Sequence, residues 1–487
     1  MSQKICVIGS GFSSLSAACY LAKQGNKVTV LEKNTGIGGR ARQMRKQRFN
    51  FDMGPTFYWM PDVFESFFQD FGSSVSDFYQ LDKLNPAYQI YYDEGEVVRV
   101  EDELEKIVKT FEEIEKGSGA YLKKYIAEAE KNYNLVMADL VYMPGEKITE
   151  IITLETVKKI GLFMQSIKTQ VRKKFKHPKL RQILEFPVLF LGATPGNTPA
   201  FYNFMNYADF GLGTWHPRGG MYSVVLAMKE LGESLGITFI TDCAVEKVIT
   251  ENKSVTGVQT TKGEFDCDVL LSGADYNHTE KLLPAHLRQY SDAYWARKSF
   301  APSALMFYVG IDKKLINLAH HTLFFDADFE LHAEAIYKTG DMPKKPLFYA
   351  SFPSMTDDTI APKGKEAAIF LIPLAPDSED GEAFRKKYFD DIIERVEELT
   401  NQSVKEYILF SDSYSVSDFK DDYNAYKGNA YGLANTLTQT HVLRPGLKSS
   451  KLDNMYFTGQ LTVPGPGVPP SIISGKIVSE LITKYHK

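Results

Sequence analysis

Two glycines, a serine and a glutamate near the start of the chain are spaced to hold a diphosphate and its ribose. Val7-Ile8-Gly9-Ser10-Gly11-Phe12-Ser13-Ser14 follows an apolar run and opens a helical one. Gly9 permits the tight turn and Gly11 lets the backbone approach a pyrophosphate, whose charge the free N–H groups of the helix start stabilise. Ser14 stands where the usual pattern has a third glycine, and its small side chain still lets helix and strand pack closely. Glu32 ends the next apolar run, twenty-three residues after Gly9. A carboxylate there accepts hydrogen bonds from ribose hydroxyls and repels a 2′-phosphate, which argues against NADP. A merely structural glycine turn is the competing reading.

A second glycine turn follows, Gly36-Ile37-Gly38-Gly39-Arg40-Ala41-Arg42, and then Phe51-Asp52-Met53-Gly54-Pro55. At the far end Tyr456-Phe457-Thr458-Gly459-Gln460 leads into Val463-Pro464-Gly465-Pro466-Gly467-Val468-Pro469-Pro470-Ser471. Glycines there permit close approach to a flat ring. Pro470 suits a first helical position, and the helix N-terminus supplies positive potential beside a ring that becomes anionic on reduction. A solvated basic turn at Arg40 and Arg42, and an ordinary Pro/Gly loop, are the alternatives. Gly211-Leu212-Gly213 lacks a preceding strand and a following helix, so no second dinucleotide unit for NAD(P)H is evident.

The elements that must position these residues are legible by period. Residues 4–8 and 27–32 read as strands around a helix at 14–24, which predicts a doubly wound parallel sheet. Residues 237–272 read as strands broken by turns at Asn252-Lys253 and Lys262-Gly263, ending in a buried strand at 267–272. Runs at 304–310 and 367–373 are strand-like, and a strand at 454–458 precedes a helix at 471–485. The two ends thus predict one discontinuous domain, 1–100, 220–290 and 440–487. A largely helical lid or membrane-associating region at 101–219 and a substrate-binding domain at 291–439 complete the expected division.

Composition narrows the class. With 487 residues, 44% of them hydrophobic, the chain suits a large two-lobed enzyme; the net charge of −5 gives no reason to expect nucleic acid as a partner. Cys6, Cys19, Cys243 and Cys267 show no CxxC spacing and read as packing thiols in a reducing cytosol. No HExxH occurs among the nine histidines, so no metal site is expected. No signal peptide and no membrane span is expected, and the expected location is cytoplasmic with peripheral membrane association.

The order Glu32…Gly38-Gly39-Arg40…Asp52-x-Gly54 resembles the amine-oxidase and carotenoid-desaturase superfamily of FAD enzymes. Further segments resemble bacterial-type phytoene desaturases: Trp215-His216-Pro217-Arg218-Gly219-Gly220-Met221, Leu318-Ala319-His320-His321-Thr322, Asp418-Phe419, Asn424-Ala425-Tyr426-Lys427-Gly428, Leu437-Thr438-Gln439 and Arg444-Pro445. The C-terminal loop departs from a common form of that family, with Val463 in place of a histidine and Gly465-Pro466-Gly467 in place of Gly-Ala-Gly. The resemblance implies an α/β fold: a Rossmann-like, GR2-type FAD-binding domain with an inserted α+β substrate-binding domain and a helical membrane-associated region. It implies FAD held by Gly9, Gly11, Phe12, Ser13, Ser14, Glu32, Lys33, Gly38, Gly39, Arg40, Gly54, Pro55, Thr56, Val245, Ala274, Gly459, Gln460, Gly467, Val468, Pro469 and Ser471. The implied reaction removes two hydrogens from a carotene, with oxygen or a quinone as final acceptor. Phytoene-type desaturation is the first reading, and 3,4-desaturation of a 1′-hydroxylated carotenoid such as 1′-hydroxy-γ-carotene is the alternative. More distant are a carotenoid isomerase, an amine oxidase and a non-enzymatic prenyl-binding protein related to GDP-dissociation inhibitors.

Such a reaction needs a proton acceptor. Asp209, in an aromatic-rich stretch, is the first candidate, against a capping or surface role; His320 and His321 come next, against packing. Phe57, Tyr58, Trp59, Phe201, Tyr202, Phe204, Tyr207, Phe210 and Trp215 are candidates for an apolar tunnel or ordinary core. The carotenoid must come from a bilayer, and residues 157–176 suggest how. Val157, Ile160, Met164, Ile167, Val171 and Phe175 form an apolar stripe beside Lys158, Lys159, Lys168, Arg172, Lys173, Lys174 and Lys176, with no acid. That pattern fits an amphipathic helix on an anionic membrane surface, or a core-packing helix with a solvated basic face.

Overall fold

Branched apolar runs at both ends of the chain fold into one sheet. The computed structural model describes residues 2–138, 140–152, 156, 158–436 and 438–486. Its five-stranded sheet runs in the order Met455–Phe457, Val269–Ser272, Lys4–Ile8, Lys27–Leu31, Thr238–Ile240, all parallel. The central strands are buried on both faces, as in parallel sheets covered by helices. The helix Phe12–Lys23 covers it together with Tyr222–Ser234 and the C-terminal helix Val468–Tyr485. Ser16 Oγ donates to the Ile472 carbonyl at 2.7 Å, fixing the first and last helices side by side. Beside the sheet lies a three-stranded antiparallel meander, Val245–Glu251, Ser254–Thr260 and Gly263–Asp266, with its turns where the sequence predicts them.

A second sheet has seven strands, in the order Ile408–Tyr414, Ser303–Ile311, Glu366–Leu374, Phe348–Ser351, His321–Phe324, Tyr88–Tyr91, Val97–Val100. The last two strands lie before residue 100, so the expected boundary there gives way: Thr322 pairs with Gln89, and the hairpin 88–100 extends this sheet. Its register across Ser303–Ile311 and Glu366–Leu374 is continuous over nine residues, every position of the first strand being buried.

Residues 101–210 are mostly helical, but the expected continuous amphipathic helix over 157–176 does not form. Val157 lies outside the described residues. Short helices Ile160–Phe163 and Ile167–Arg172 are separated by a break, after which Ser166 caps the second by accepting from Thr169 N at 3.2 Å. Ile167, Val171 and Phe175 are buried in the main core, whereas Met164 is 81% exposed. The basic side chains find acids from elsewhere: Arg172 donates to Glu185 (3.0 Å) and Glu330 (2.8 Å), and Lys168 donates to Glu330 (2.7 Å). Among the described residues no helix is long and apolar enough to cross a membrane. The four cysteines are free and buried.

Candidate active site

The turn after the first strand is set by Gly9, whose φ of +84° only glycine adopts without strain and whose N–H donates to the Leu31 carbonyl at 2.8 Å. Gly11 then caps the helix Phe12–Lys23, leaving its first N–H groups free to face a ligand. Glu32 is buried at the strand end. Its carboxylate accepts from Ser10 N (3.0 Å) and Oγ (2.5 Å) on one oxygen and from Asn34 N (2.8 Å) on the other. Ser14 packs under the turn against Gly273, where any Cβ would lie 2.0 Å from its Oγ.

Gly39, Arg40 and Ala41 form a short 3-10 turn beside this strand. Arg40 is half-buried; its Nη2 donates to the Asn429 carbonyl at 3.2 Å and its guanidinium lies over Tyr423, while Nε has no partner among the described residues. With its amide oxygen turned inward, Gln460 accepts from the same guanidinium at 3.1 Å. Gly54 sits directly on this turn: a Cβ there would meet the Arg40 carbonyl oxygen at 2.1 Å. Asp52, two residues earlier, accepts from Met221 N (2.6 Å) and Tyr222 N (3.2 Å), and burial pushes its carboxyl up to about 6. The Asp52-x-Gly54 pair thus ties the start of the helix Tyr222–Ser234 to the arginine turn. Arg42 pairs with Asp422 and lies over Tyr423, bringing the segment 421–424 over the same cleft.

At the far end of the chain, the helix Val468–Tyr485 begins at Gly467, earlier than the sequence predicts, with Pro469 and Pro470 in its first turn. Arg444, of the Arg444-Pro445 pair, is buried and clamps the preceding loop. It donates to the carbonyls of Thr462 (2.7 Å), Gln460 (2.7 Å) and Gln439 (3.1 Å) and to Asn435 Oδ1 (2.6 Å).

The two glycine turns, Glu32, Arg40, Gly54, Gln460 and the start of the last helix line one cavity of about 460 Å³. Of the residues expected to hold FAD, only Ser14 stays behind its wall; the others, including Lys33, Val245, Ala274 and Thr56, line it. Asp275 and His278 line it too and had no signal in the sequence. Asp275 accepts from Tyr426 N at 3.1 Å and faces Arg40, and burial holds His278 down at about 4. An unpartnered arginine nitrogen, a carboxylate at the strand end and a backbone cradle suit the diphosphate and ribose of FAD.

The cavity continues past Thr56 into an apolar chamber. Phe57, Phe186, Leu323, Phe325, Phe329, Ile336, Leu347, Phe348 and Leu371 line it, with Tyr337, Tyr349 and Tyr431. The expected aromatic tunnel is therefore corrected. Phe57 and Trp59 reach the cavity, but Tyr58, Phe201, Phe204 and Phe210 are packed in the core, and the other chamber aromatics come from the second sheet and its connections. His332, on the chamber wall, uses both ring nitrogens, towards Leu347 N (3.0 Å) and the Pro373 carbonyl (3.1 Å); burial lowers it to about 4, so it is neutral.

The candidate proton acceptors fall differently from expectation. Asp209 is buried away from the cavity, accepting from Tyr88 Oη at 2.8 Å, and burial pushes it up to about 7. His320 contacts Thr356 Oγ1 at 2.6 Å and also lies behind the wall. His321 is fully buried, but its Nδ1 lies 2.6 Å from the hydroxyl of Tyr349, which does line the chamber. Among the described residues no group of three or more His, Cys, Asp or Glu side chains is placed to hold a metal ion.

A nucleotide cleft opening into an apolar chamber defines a flavin-dependent oxidoreductase of an oily substrate. The flavin-containing amine oxidoreductase family model matches residues 12–483. A carotenoid 3,4-desaturase from Haloarcula japonica is 40% identical over 99% of this chain and 98% of its own length. A zeta-carotene-forming phytoene desaturase from Myxococcus xanthus is 29% identical over 99% and 95%. The crystal structure of an oxidoreductase from Methanosarcina mazei superposes with a TM-score of 0.64 at 16% identity, covering 98% of this chain and all of that one. The chain belongs to the FAD-dependent carotenoid desaturase family within the flavin-containing amine oxidoreductases. It is an enzyme and its cofactor is FAD.

Proposed function

We propose that this desaturase introduces the 3,4 double bond of a 1′-hydroxylated carotenoid such as 1′-hydroxy-γ-carotene, rather than acting first on phytoene. The observation that carries the choice is the polar spot in an otherwise apolar chamber. Tyr337 and Tyr431 line it, and neither hydroxyl has a hydrogen-bond partner among the described residues. Tyr431 is close enough to raise the titration of both Tyr337 and Tyr349. Leaving such hydroxyls against pure hydrocarbon costs on the order of 1–3 kcal/mol each. Phytoene offers them nothing, whereas a hydroxyl on the carbon chain satisfies them. When the new bond forms at the hydroxylated end (3′,4′ in 1′-hydroxy-γ-carotene), that hydroxyl, on C1′, is only two carbons from the nearer reacting carbon, so the receptor belongs in the reacting part of the chamber. The 40% identical relative supports the same reading.

When bound, FAD supplies the two-electron acceptor, and oxygen or a quinone would take the electrons onward. The chain's own residues bind, orient and exclude water. Glu32 and Asn34 hold the ribose end, Arg40 and the N-termini of the helices Phe12–Lys23 and Val468–Tyr485 face the charged parts, and the aromatic chamber keeps water from a cationic intermediate. Delivery from a bilayer to a peripheral site fits the exposed Ile148, Ile152 and Met164.

The test is substrate choice in liposomes. FAD-loaded wild type should desaturate 1′-hydroxy-γ-carotene in preference to phytoene, and the Tyr337→Phe/Tyr431→Phe double variant should lose at least ~10-fold of that preference. Faster turnover of phytoene by the wild type would overturn the reading.

A further inference from the structure

The geometry points to Tyr349 as the catalytic residue that takes the substrate proton, with His321 behind it as the group that accepts the tyrosine's own. This role rests on the carotenoid-desaturation reading and goes beyond it to the atoms that move. Tyr349 stands on the strand Phe348–Ser351 and lines the chamber where Thr56 leads into it from the nucleotide side. Its hydroxyl lies between Thr56 Oγ1 at 2.8 Å and His321 Nδ1 at 2.6 Å. Either partner can donate in both contacts; the role assigns Thr56 as donor to Tyr349 and Tyr349 as donor to His321.

His321 is built for that task. Its ring stacks on Phe57, with centroids 4.0 Å apart and planes 12° apart, which fixes the direction of Nδ1. Burial and the neighbouring His216 keep it well below the ordinary histidine range, so it is neutral; the role assigns its proton to Nε2, which has no hydrogen-bond partner among the described residues, and leaves Nδ1 as the acceptor. A weak base suffices, because a carbon next to a polyene cation is a strong acid. Behind it, the rings of His320 and His216 follow at centroid distances of 4.4 and 4.6 Å, and His216 Nε2 lies 3.0 Å from Asp357.

The step balances. One C–H bond of the substrate breaks with its electron pair leaving as hydride, FAD being the oxidant that receives it. The adjacent C–H bond then breaks, its pair becomes the new C=C bond, and its proton goes to the Tyr349 oxygen as the tyrosine proton moves to His321 Nδ1.

Tyr349→Phe keeps the ring and removes only the hydroxyl. FAD content and carotenoid binding should match wild type. In anaerobic single turnover, appearance of the lengthened polyene should lag bleaching of the flavin and slow by about 100-fold. A primary isotope effect, absent in wild type, should appear with substrate deuterated at the carbon that loses the proton. In the flavin-free protein, the ¹⁵N-histidine spectrum should show His321 with an unprotonated Nδ1 whose resonance moves in Tyr349→Phe. His321→Gln should reproduce the isotope effect. Polyene appearing at the wild-type rate, slow appearance without an isotope effect at that carbon, or a proton on His321 Nδ1 in wild type would each overturn the role. Wild type that no carotenoid bleaches would instead overturn the desaturation reading, while the spectrum still judges the tyrosine–histidine bond.

Discussion

The cavity has two sides built on different principles. On the nucleotide side the shape is made by backbone: the turn at Gly9, the turn at Gly39, and Gly54 laid against the Arg40 carbonyl. Side chains there are few, and Glu32 is held by Ser10 and Asn34. On the chamber side the backbone is ordinary sheet and helix, and shape comes from aromatic and aliphatic side chains brought from distant parts of the chain, Phe57, Phe186, Leu323, Tyr349 and Tyr431 among them. Behind the chamber, the helical cover is held by polar pairs such as exposed Arg172 with buried Glu185, and the buried Tyr88–Asp209. A backbone-made wall tolerates no added atom, whereas a side-chain-made wall can be reshaped one residue at a time. That difference suits a scaffold keeping one cofactor while its substrates change.

The sharpest way to break this contrast is Gly54→Ala. The new Cβ would lie 2.1 Å from a backbone oxygen that cannot move without Arg40. The expected loss in FAD binding is about 3 kcal/mol or more, or ~100-fold. FAD titration of the purified protein checks it, and wild-type affinity would show that the turn is far more pliable than its packing implies.

The same contrast explains what could be read from the sequence. Glycine spacing, the acid at position 32 and the Arg40 turn report on backbone conformation directly, so the parallel sheet and the cofactor-side lining were legible. The chamber was not, because its residues are ordinary core types until the seven-stranded sheet juxtaposes them; Tyr349 and Tyr431 stand in no motif. The stretch 157–176 shows the hazard. An apolar stripe beside lysines and arginines is satisfied equally by a membrane or by core on one side and distant acids on the other. Glu185 and Glu330, thirteen and 158 residues from Arg172, decide the matter in favour of core. Asp209 misled for a related reason: an acid among aromatics looks the same whether the aromatics line a cavity or fill one.

The cover can be probed at that arginine. Arg172→Glu leaves Glu185, only 2% exposed, without its cation and adds a third carboxylate beside Glu330. The expected destabilisation is about 3–5 kcal/mol, read by denaturant unfolding. Lys173 donates to Gln165 and Lys174 lies over Tyr121, both towards solvent. Reversing those two should change stability by no more than ~0.5 kcal/mol. They, and not Arg172, are therefore the residues with which to test contact with anionic liposomes. Weaker flotation with unchanged FAD content is the expected result, and unchanged flotation would remove this face from the membrane contact.

A pH-dependent effect belongs to Asp209. Burial raises its carboxyl from the ordinary carboxylate range to about 7, so the folded protein holds a proton there that the unfolded chain releases. The sign follows: between about pH 4 and 7 the folded state binds more protons at this site, and stability falls as pH rises through that window. The slope from one such group is at most about 1.4 kcal/mol per pH unit. In Asp209→Asn the side chain still offers an oxygen to Tyr88 but no longer titrates. The variant should therefore lose less stability than wild type on going from pH 5 to pH 7, measured as the difference between their unfolding midpoints at the two pH values. Equal losses would mean that Asp209 is ionised in the fold. A buried carboxylate hydrogen-bonded to Tyr88, one aromatic ring away from Phe57, would then be held as a charge behind the chamber wall, as Glu185 is held by Arg172.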